Sequence, residues 1–216
     1  MVVYIRALYY PEGFKFPMKI IDERILLTEF FRELATLIML MSIGMFAGRK
    51  AIERFAFFIF SFAIWDIFYY VFLKIILGWP ESFMTWDILF FIPTTWIGPV
   101  IAPVINSLMM IALSFAIIFS VEKTGKAKMG IRIWTLLIAG SLVVILSYTI
   151  DYSRFILERF TFGELFSATY NKNVMEYVTK YIPVNFNWLI FAVGALLHAA
   201  GIYMVYNLNL RKKVLT

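Results

Sequence analysis

Long apolar runs alternate along this chain with short polar connections. Five runs reach the length of about 20 residues that a helix needs to cross a bilayer. They cover Leu26–Ala47, Phe55–Leu77, Gly98–Val121, Ile133–Ile150 and Phe186–Tyr206. The pattern predicts an all-α integral membrane helical bundle of about five transmembrane helices, with residues 1–216 forming a single transmembrane domain. The alternative is that the N-terminal segment adds a sixth, short membrane element.

The composition leads to the same class of protein. Apolar residues make up 62% of the 216 residues, whereas soluble proteins contain about 45–50%. A soluble domain of this length could not bury so much apolar surface, so membrane lipids must solvate much of it. The chain has no cysteine and one histidine, which excludes disulfides, iron–sulfur clusters and bis-histidine haem within it. We therefore expect no cofactor and no metal site.

Basic residues concentrate in alternate connections. Residues 48–54, residues 122–132 and the C-terminus hold ten of the 20 basic residues but only two of the 14 acidic ones. Because basic connections favour the cytoplasmic side, we expect a multi-pass protein of the cell membrane with its C-terminus in the cytoplasm and its N-terminus outside. The net charge of +6 then indicates contact with anionic membrane lipids, and no nucleic acid partner is expected. The basic residues concerned are Arg49, Lys50, Arg54, Lys123, Lys126, Lys128, Arg132, Arg211, Lys212 and Lys213.

The two outer connections are rich in aromatic residues. Residues 78–97 contain three tryptophans and two prolines, and residues 151–187 place Phe155, Phe160 and Phe166 among charges. Both patterns favour interfacial or re-entrant helices with their rings at headgroup depth. The predicted outer cap consists of Trp79, Glu81, Trp86, Asp87 and Trp96. The tryptophans fit either an aromatic belt or a ligand cage.

Ionisable residues also lie inside the spans, where an unpaired charge is costly and marks a candidate site. Asp66 lies near the centre of the second span, and Tyr70 and Lys74 follow it on the same helical face. Helix packing could bring six side chains into one polar pocket below the cap. They are Arg32, Glu33, Asp66, Tyr70, Lys74 and His198.

Each of these residues also has a structural interpretation. Glu29, Arg32 and Glu33 can form an ion-pair ladder along one helix. Asp66 can anchor a neighbouring helix by a hydrogen bond. His198 has small neighbours on its helix, Ala195 and Ala199, and can form a hydrogen bond in helix packing.

Several short motifs in the first half of the chain carry a resemblance. Arg32-Glu33-Leu34-Ala35-Thr36 is followed by WDIFYYVFLKIILGWPES, TWDILFFIP and WIGPVIAP. Over roughly residues 28–105 these motifs resemble a family of bacterial and archaeal multi-pass membrane proteins. That family has no assigned activity, so the resemblance implies nothing about mechanism.

Three functions fit these observations. The chain shows no phosphate-binding loop, metal-ligand spacing or nucleophile motif, which favours a non-redox accessory or anchor subunit with protein partners in a larger membrane assembly. A small carrier or binding protein for an ion or amphiphilic ligand would use the polar pocket. An intramembrane enzyme acting on a lipid or isoprenoid would use Asp66 and Glu33 as acid–base groups and Arg32 to steer an anionic headgroup. Whether the protein is an enzyme stays open at this point.

Overall fold

The computed structural model of the chain describes residues 16–17, 23–90, 94–164 and 171–210. Six helices and two strands lie within this described part. They are α1 (Glu23–Ala47), α2 (Ala51–Leu77), β1 (Trp86–Phe90), β2 (Trp96–Pro99), α3 (Ile101–Thr124), α4 (Ile131–Leu157), α5 (Lys172–Val178) and α6 (Trp188–Asn209). The possible sixth membrane element before residue 16, together with Phe166, Arg211, Lys212 and Lys213, lies outside the described residues.

Five of the helices are long and apolar enough to cross a membrane, which confirms the predicted all-α bundle. The candidate spans are Leu27–Ala47, Ala51–Leu77, Ile101–Thr124, Ile131–Leu157 and Trp188–Asn209. The largest difference from the predicted boundaries is in α4, which continues past Ile150 to Leu157. The two added turns are helical because they bury Tyr152 and Ile156 on one face.

The fold divides into two compact units. Unit 1 comprises Met1–Ala35, Tyr69–Pro103 and Ile145–Asn187. Unit 2 comprises Thr36–Phe68, Val104–Val144 and Trp188–Thr216. Helices α1 to α4 each contribute residues to both units, whereas the β-hairpin and α5 belong to unit 1.

Unit 2 is an assembly of closely packed helices. Its buried cluster is made of small and branched apolar residues, including Ala56, Ile117 and Val205. Glycines bring α4 and α6 together: a Cβ atom at Gly194 would lie 2.9 Å from the carbonyl oxygen of Gly140. Small residues at such contacts let helix backbones approach closely in a membrane, where packing drives association.

Unit 1 contains a β-hairpin where the sequence predicted an interfacial helix. Strands β1 and β2 pair antiparallel, with Asp87 opposite Gly98 and Ile88 opposite Ile97. That prediction for residues 78–97 was therefore wrong in type. The physical reason is that aromatic and β-branched residues bounded by prolines suit a strand as well as an interfacial helix, and only the pairing partner decides between them.

The hairpin is continuous with the start of α3. The backbone N–H groups of Val100 and Ile101 donate to the carbonyl oxygens of Thr85 and Phe83, at 3.0 and 2.8 Å. These bonds satisfy backbone donors at the helix start, which have no partner inside the helix. Pro103 lies in the first turn of α3, where its missing N–H costs little. The prolines near this helix therefore mark its beginning.

Unit 1 also has an aromatic core. Gly98 on β2 lies so close to Tyr148 of α4 that an added Cβ would be 3.0 Å from its ring. The rings of Trp96 and Tyr148 stack at a centroid distance of 6.0 Å. The glycine thus lets the hairpin pack directly against α4.

Candidate functional site

A buried hydrogen bond joins the hairpin to α2 in unit 1. The hydroxyl of Tyr70 donates to Oδ2 of Asp87 at 3.0 Å, and Asp87 is only 1% exposed. The other carboxylate oxygen, Oδ1, accepts a 2.8 Å bond from the backbone N–H of Ile88. A buried carboxyl needs such partners, because an unsatisfied one would destabilise the fold. The sequence assigned Tyr70 to the pocket and Asp87 to the outer cap, and the structure brings them together.

Lys74 and Trp79 reinforce this junction. The Lys74 ammonium donates to the carbonyl oxygens of Gly78 and Pro80, at 3.2 and 2.8 Å. The Trp79 ring lies 6.4 Å from the ring of Tyr70. Lys74 thus satisfies carbonyl groups after the end of α2, as expected for a cation at a helix C-terminus. Glu81 is exposed in the turn that follows.

The two remaining tryptophans of the predicted cap pack into unit 1. Trp86 lies edge-on to Phe186 at a centroid distance of 6.4 Å. Trp96 contacts Phe90 in addition to Tyr148. Both rings are intermediate in exposure, which fits a role in fixing the hairpin.

In unit 2, Asp66 forms a hydrogen bond between two spans. The hydroxyl of Ser107 on α3 donates to Oδ2 of Asp66 at 2.7 Å. Ser107 is fully buried and Asp66 is partly buried. This contact is the helix anchor that the sequence offered as the structural alternative for Asp66.

His198 occupies the close contact between α4 and α6 in unit 2. Its Nε2 lies 3.1 Å from both the carbonyl oxygen of Leu137 and Oγ of Ser141. The Ser141 hydroxyl donates to the same Leu137 oxygen at 2.9 Å. Because the carbonyl can only accept and the serine proton is already used, Nε2 carries the hydrogen and donates. These contacts fit the helix-packing interpretation of His198.

Arg32 and Glu33 belong to the part of α1 in unit 1. Arg32 donates from Nε to Oε2 of Glu29 at 2.8 Å, one turn earlier on the same helix. Glu33 is buried, with 7% exposure. The Glu29–Arg32 contact is the first step of the ion-pair ladder that the sequence allowed.

One polar pair in unit 1, between the buried Tyr181 and the exposed Asp151, was not predicted from the sequence. The Tyr181 hydroxyl donates to Oδ2 of Asp151 at 2.7 Å, across 30 residues of sequence. Burial, followed by the hydrogen bond and charge of Asp151, raises the pKa of Tyr181 well above its usual range, so it keeps its proton. In the sequence Tyr181 simply follows Thr179 and Lys180, and nothing in this polar context indicates its partner.

The predicted polar pocket thus divides between the two units. Arg32, Glu33, Tyr70 and Lys74 lie in unit 1, whereas Asp66 and His198 lie in unit 2. Within unit 2, Asp66 is bonded to α3 and His198 to α4. A single pocket formed by all six residues stays a prediction. Among the described residues, no group of three or more potential ligands is arranged to hold a metal ion.

Comparison with known proteins adds no relative: no protein-family model, curated protein or solved structure matches this chain. The five apolar helices define the class as a multi-pass membrane protein.

Proposed function

We propose that this protein is a non-redox accessory or anchor subunit of a larger membrane assembly. The observation that carries the proposal is the exposure of two apolar side chains on the turn before β1. Phe83 is 64% exposed and Met84 62% exposed, and neither lies in one of the five candidate spans. Apolar side chains exposed outside a span favour contact with a protein or with the membrane interface.

The turn that carries Phe83 and Met84 is held in place from several sides. The Phe83 carbonyl accepts the bond from Ile101, and Ser82 and Thr85 bond to each other across the turn. Behind it, the Tyr70–Asp87 bond ties β1 to α2. A pre-organised apolar turn loses little conformational entropy on binding, which suits a docking element.

The polar residues of unit 2 also support a structural role. Asp66 and His198 both take part in hydrogen bonds between helices. Such bonds stabilise helix association in lipid. These hydrogen bonds explain the presence of two polar residues inside the spans without a role in transport or catalysis.

Site-specific photo-crosslinking in the native membrane tests the proposal. A crosslinking amino acid at Met84 should give a discrete protein adduct, identified by mass spectrometry. The matched control is Phe72, an apolar side chain that is 51% exposed inside the second span. Lipid adducts at both positions, with no protein adduct at Met84, would contradict a partner at this turn.

The substitution Asp66→Asn separates the structural role from the carrier and enzyme alternatives. Asparagine keeps an oxygen that can accept the Ser107 hydrogen bond but removes the ionisable group. If Asp66 only anchors α3, the variant should fold and assemble with the partner normally. Normal folding with loss of a transport or lipid-modifying activity would instead favour a functional carboxylate.

A further inference from the structure

Unit 2 contains an apolar groove between α3 and α6 with a volume of about 660 Å³. Its α3 wall includes Ile105, Ala112 and Phe119, and its α6 wall includes Ala199 and Tyr206. The side chains of Ala112 and Ala199 are small, so they leave an open space that larger side chains surround. At about 1.5 Å per residue, the α3 wall from Ile105 to Phe119 extends about 21 Å.

This length suits a lipid chain. The hydrocarbon core of a bilayer is about 30 Å thick, so one leaflet contributes about 15 Å. The groove therefore exceeds the depth of a single leaflet, and its walls are apolar along that length. One extended acyl chain matches this shape and chemistry.

Lysines lie at one end of the groove. Lys123 follows Phe119 by four residues on α3, so the two share a helical face. At the end of α6, the side chain of Asn209 accepts a 2.7 Å bond from the backbone N–H of Lys128. This bond places the 125–130 connection, with Lys126 and Lys128 exposed, beside the groove-lining residue Leu210.

We propose that the groove binds one acyl chain of an anionic phospholipid, whose phosphate is held by Lys123, Lys126 and Lys128.

The charge of the lysines favours this occupant over a second copy of the chain. Two copies packed in parallel through this groove would bring their lysine clusters together, which costs energy. An anionic headgroup instead neutralises them. Glu122, the acidic residue in this region, is the neighbour of Lys123 in sequence. The proposal holds whether or not the protein has a partner subunit.

Native mass spectrometry of the full-length protein in mild detergent tests this inference. The probes are phosphatidylglycerol and phosphatidylcholine with identical acyl chains, added in equal amounts. Lysines near a membrane surface each favour anionic lipid by about fivefold, so phosphatidylglycerol should predominate in the adducts by at least that factor. Equal occupancy by the two lipids would overturn the proposal.

Two exposed alanines on one turn of α6 provide a matched pair of variants. Ala199 lines the groove and Ala200 does not. Ala199→Trp should lower phosphatidylglycerol occupancy several-fold, whereas Ala200→Trp should leave it unchanged. If Ala199→Trp fails to fold, Ala112→Phe fills the groove from the α3 wall. Equal occupancy in the filled and control variants would overturn the groove as the site.

A charge variant and the oligomeric state complete the test. Combining Lys123→Gln, Lys126→Gln and Lys128→Gln should reduce phosphatidylglycerol binding to the level of phosphatidylcholine. Unchanged selectivity would show that these lysines do not hold the headgroup. Loss of a dimer in Ala199→Trp, with unchanged lipid binding, would assign the groove to a second copy and overturn the proposal.

Discussion

In unit 1, side-chain hydrogen bonds join elements that are distant in sequence. Tyr70 on α2 bonds to Asp87 on β1, and Tyr181 bonds to Asp151 on α4. In unit 2, the Ser107–Asp66 bond also joins two helices, but several other hydroxyls bond to the backbone of their own helix one turn earlier. Ser120 donates to the carbonyl oxygen of Ala116, as does Ser42 to that of Ile38.

The difference shows two ways of stabilising parts of one membrane chain. The hairpin of unit 1 has two strands, and isolated two-stranded sheets are only marginally stable. Specific polar pairs and aromatic stacking therefore have to fix it to α2 and α4. The helices of unit 2 satisfy their own backbones, so close packing at glycines and a few hydrogen bonds between helices hold them together.

The largest expected effect tests close packing in unit 2. Gly194→Ala would place a Cβ 2.7 Å from Val144 and 2.9 Å from the Gly140 carbonyl oxygen. We expect a loss of about 3 kcal/mol in the free energy of unfolding, measured by denaturant titration in detergent. Gly163→Ala is the control, because nothing lies within 4 Å of its Cβ position. Equal stability of the two variants would argue against close packing of α4 and α6.

The next effect tests the polar junction of unit 1. Asp87→Leu leaves the Tyr70 hydroxyl without its acceptor in a buried site, which should cost about 2 kcal/mol. Asp87→Asn keeps an acceptor and should cost less. The same titration compares the two variants, and a double-mutant cycle with Tyr70→Phe measures their coupling. Additive effects of the Asp87→Leu and Tyr70→Phe substitutions would contradict a direct bond.

A third effect depends on pH and concerns Tyr181. Its pKa is raised in the folded state, so the Asp151 bond should stabilise the protein fully below the unfolded pKa of about 10. The contribution should fall as pH rises above that value. Tyr181→Phe should therefore cost about 1 kcal/mol at pH 7 and less in alkaline solution.

Stability measured from pH 7 to 11 for the wild type and Tyr181→Phe checks this sign. Tyr206→Phe, at a tyrosine that is 50% exposed, is the control for the loss of a tyrosine hydroxyl without the Asp151 bond. A difference between wild type and Tyr181→Phe that grows with pH would contradict the assignment.

The smallest effect tests the polar contact between α4 and α6. Ser141→Ala removes a hydroxyl that contacts His198 and Leu137, which should cost about 0.6 kcal/mol, the average for such bonds between membrane helices. Ser42→Ala removes a hydroxyl bonded within its own helix and should change stability less. A larger loss of stability in Ser42→Ala than in Ser141→Ala would contradict a stabilising polar contact between α4 and α6.

The spans could be predicted because lipid leaves the chain little choice. A long apolar segment in a bilayer must satisfy its backbone internally, so length and composition are enough to indicate a helix. The predicted segments accordingly reappear as α1, α2, α3, α4 and α6. The extension of α4 to Leu157 was not predictable, because residues 151–157 mix charged and aromatic side chains.

The candidate site was predictable in residue type but not in partners. An ionisable group such as Asp66 in an apolar run is visible in sequence, and lipid requires it to find a partner. That the partner is Ser107 depends on how α2 packs against α3. The same holds for the two tyrosine–aspartate bonds. Asp87 and Asp151 are visible in the sequence as carboxylates. Nothing in the surrounding sequence indicates that they accept hydrogen bonds from Tyr70 and Tyr181.

The sequence by itself therefore determined the membrane class, the number of spans and the basic connections, since these follow from local composition and the properties of the bilayer. Only the tertiary structure decided that Trp86–Phe90 and Trp96–Pro99 pair as antiparallel strands, that Asp87 is buried, and that a groove lies between α3 and α6. The physical reason is that strand pairing, hydrogen-bond partners and cavities arise between segments that are distant in the chain, and no local pattern encodes their meeting.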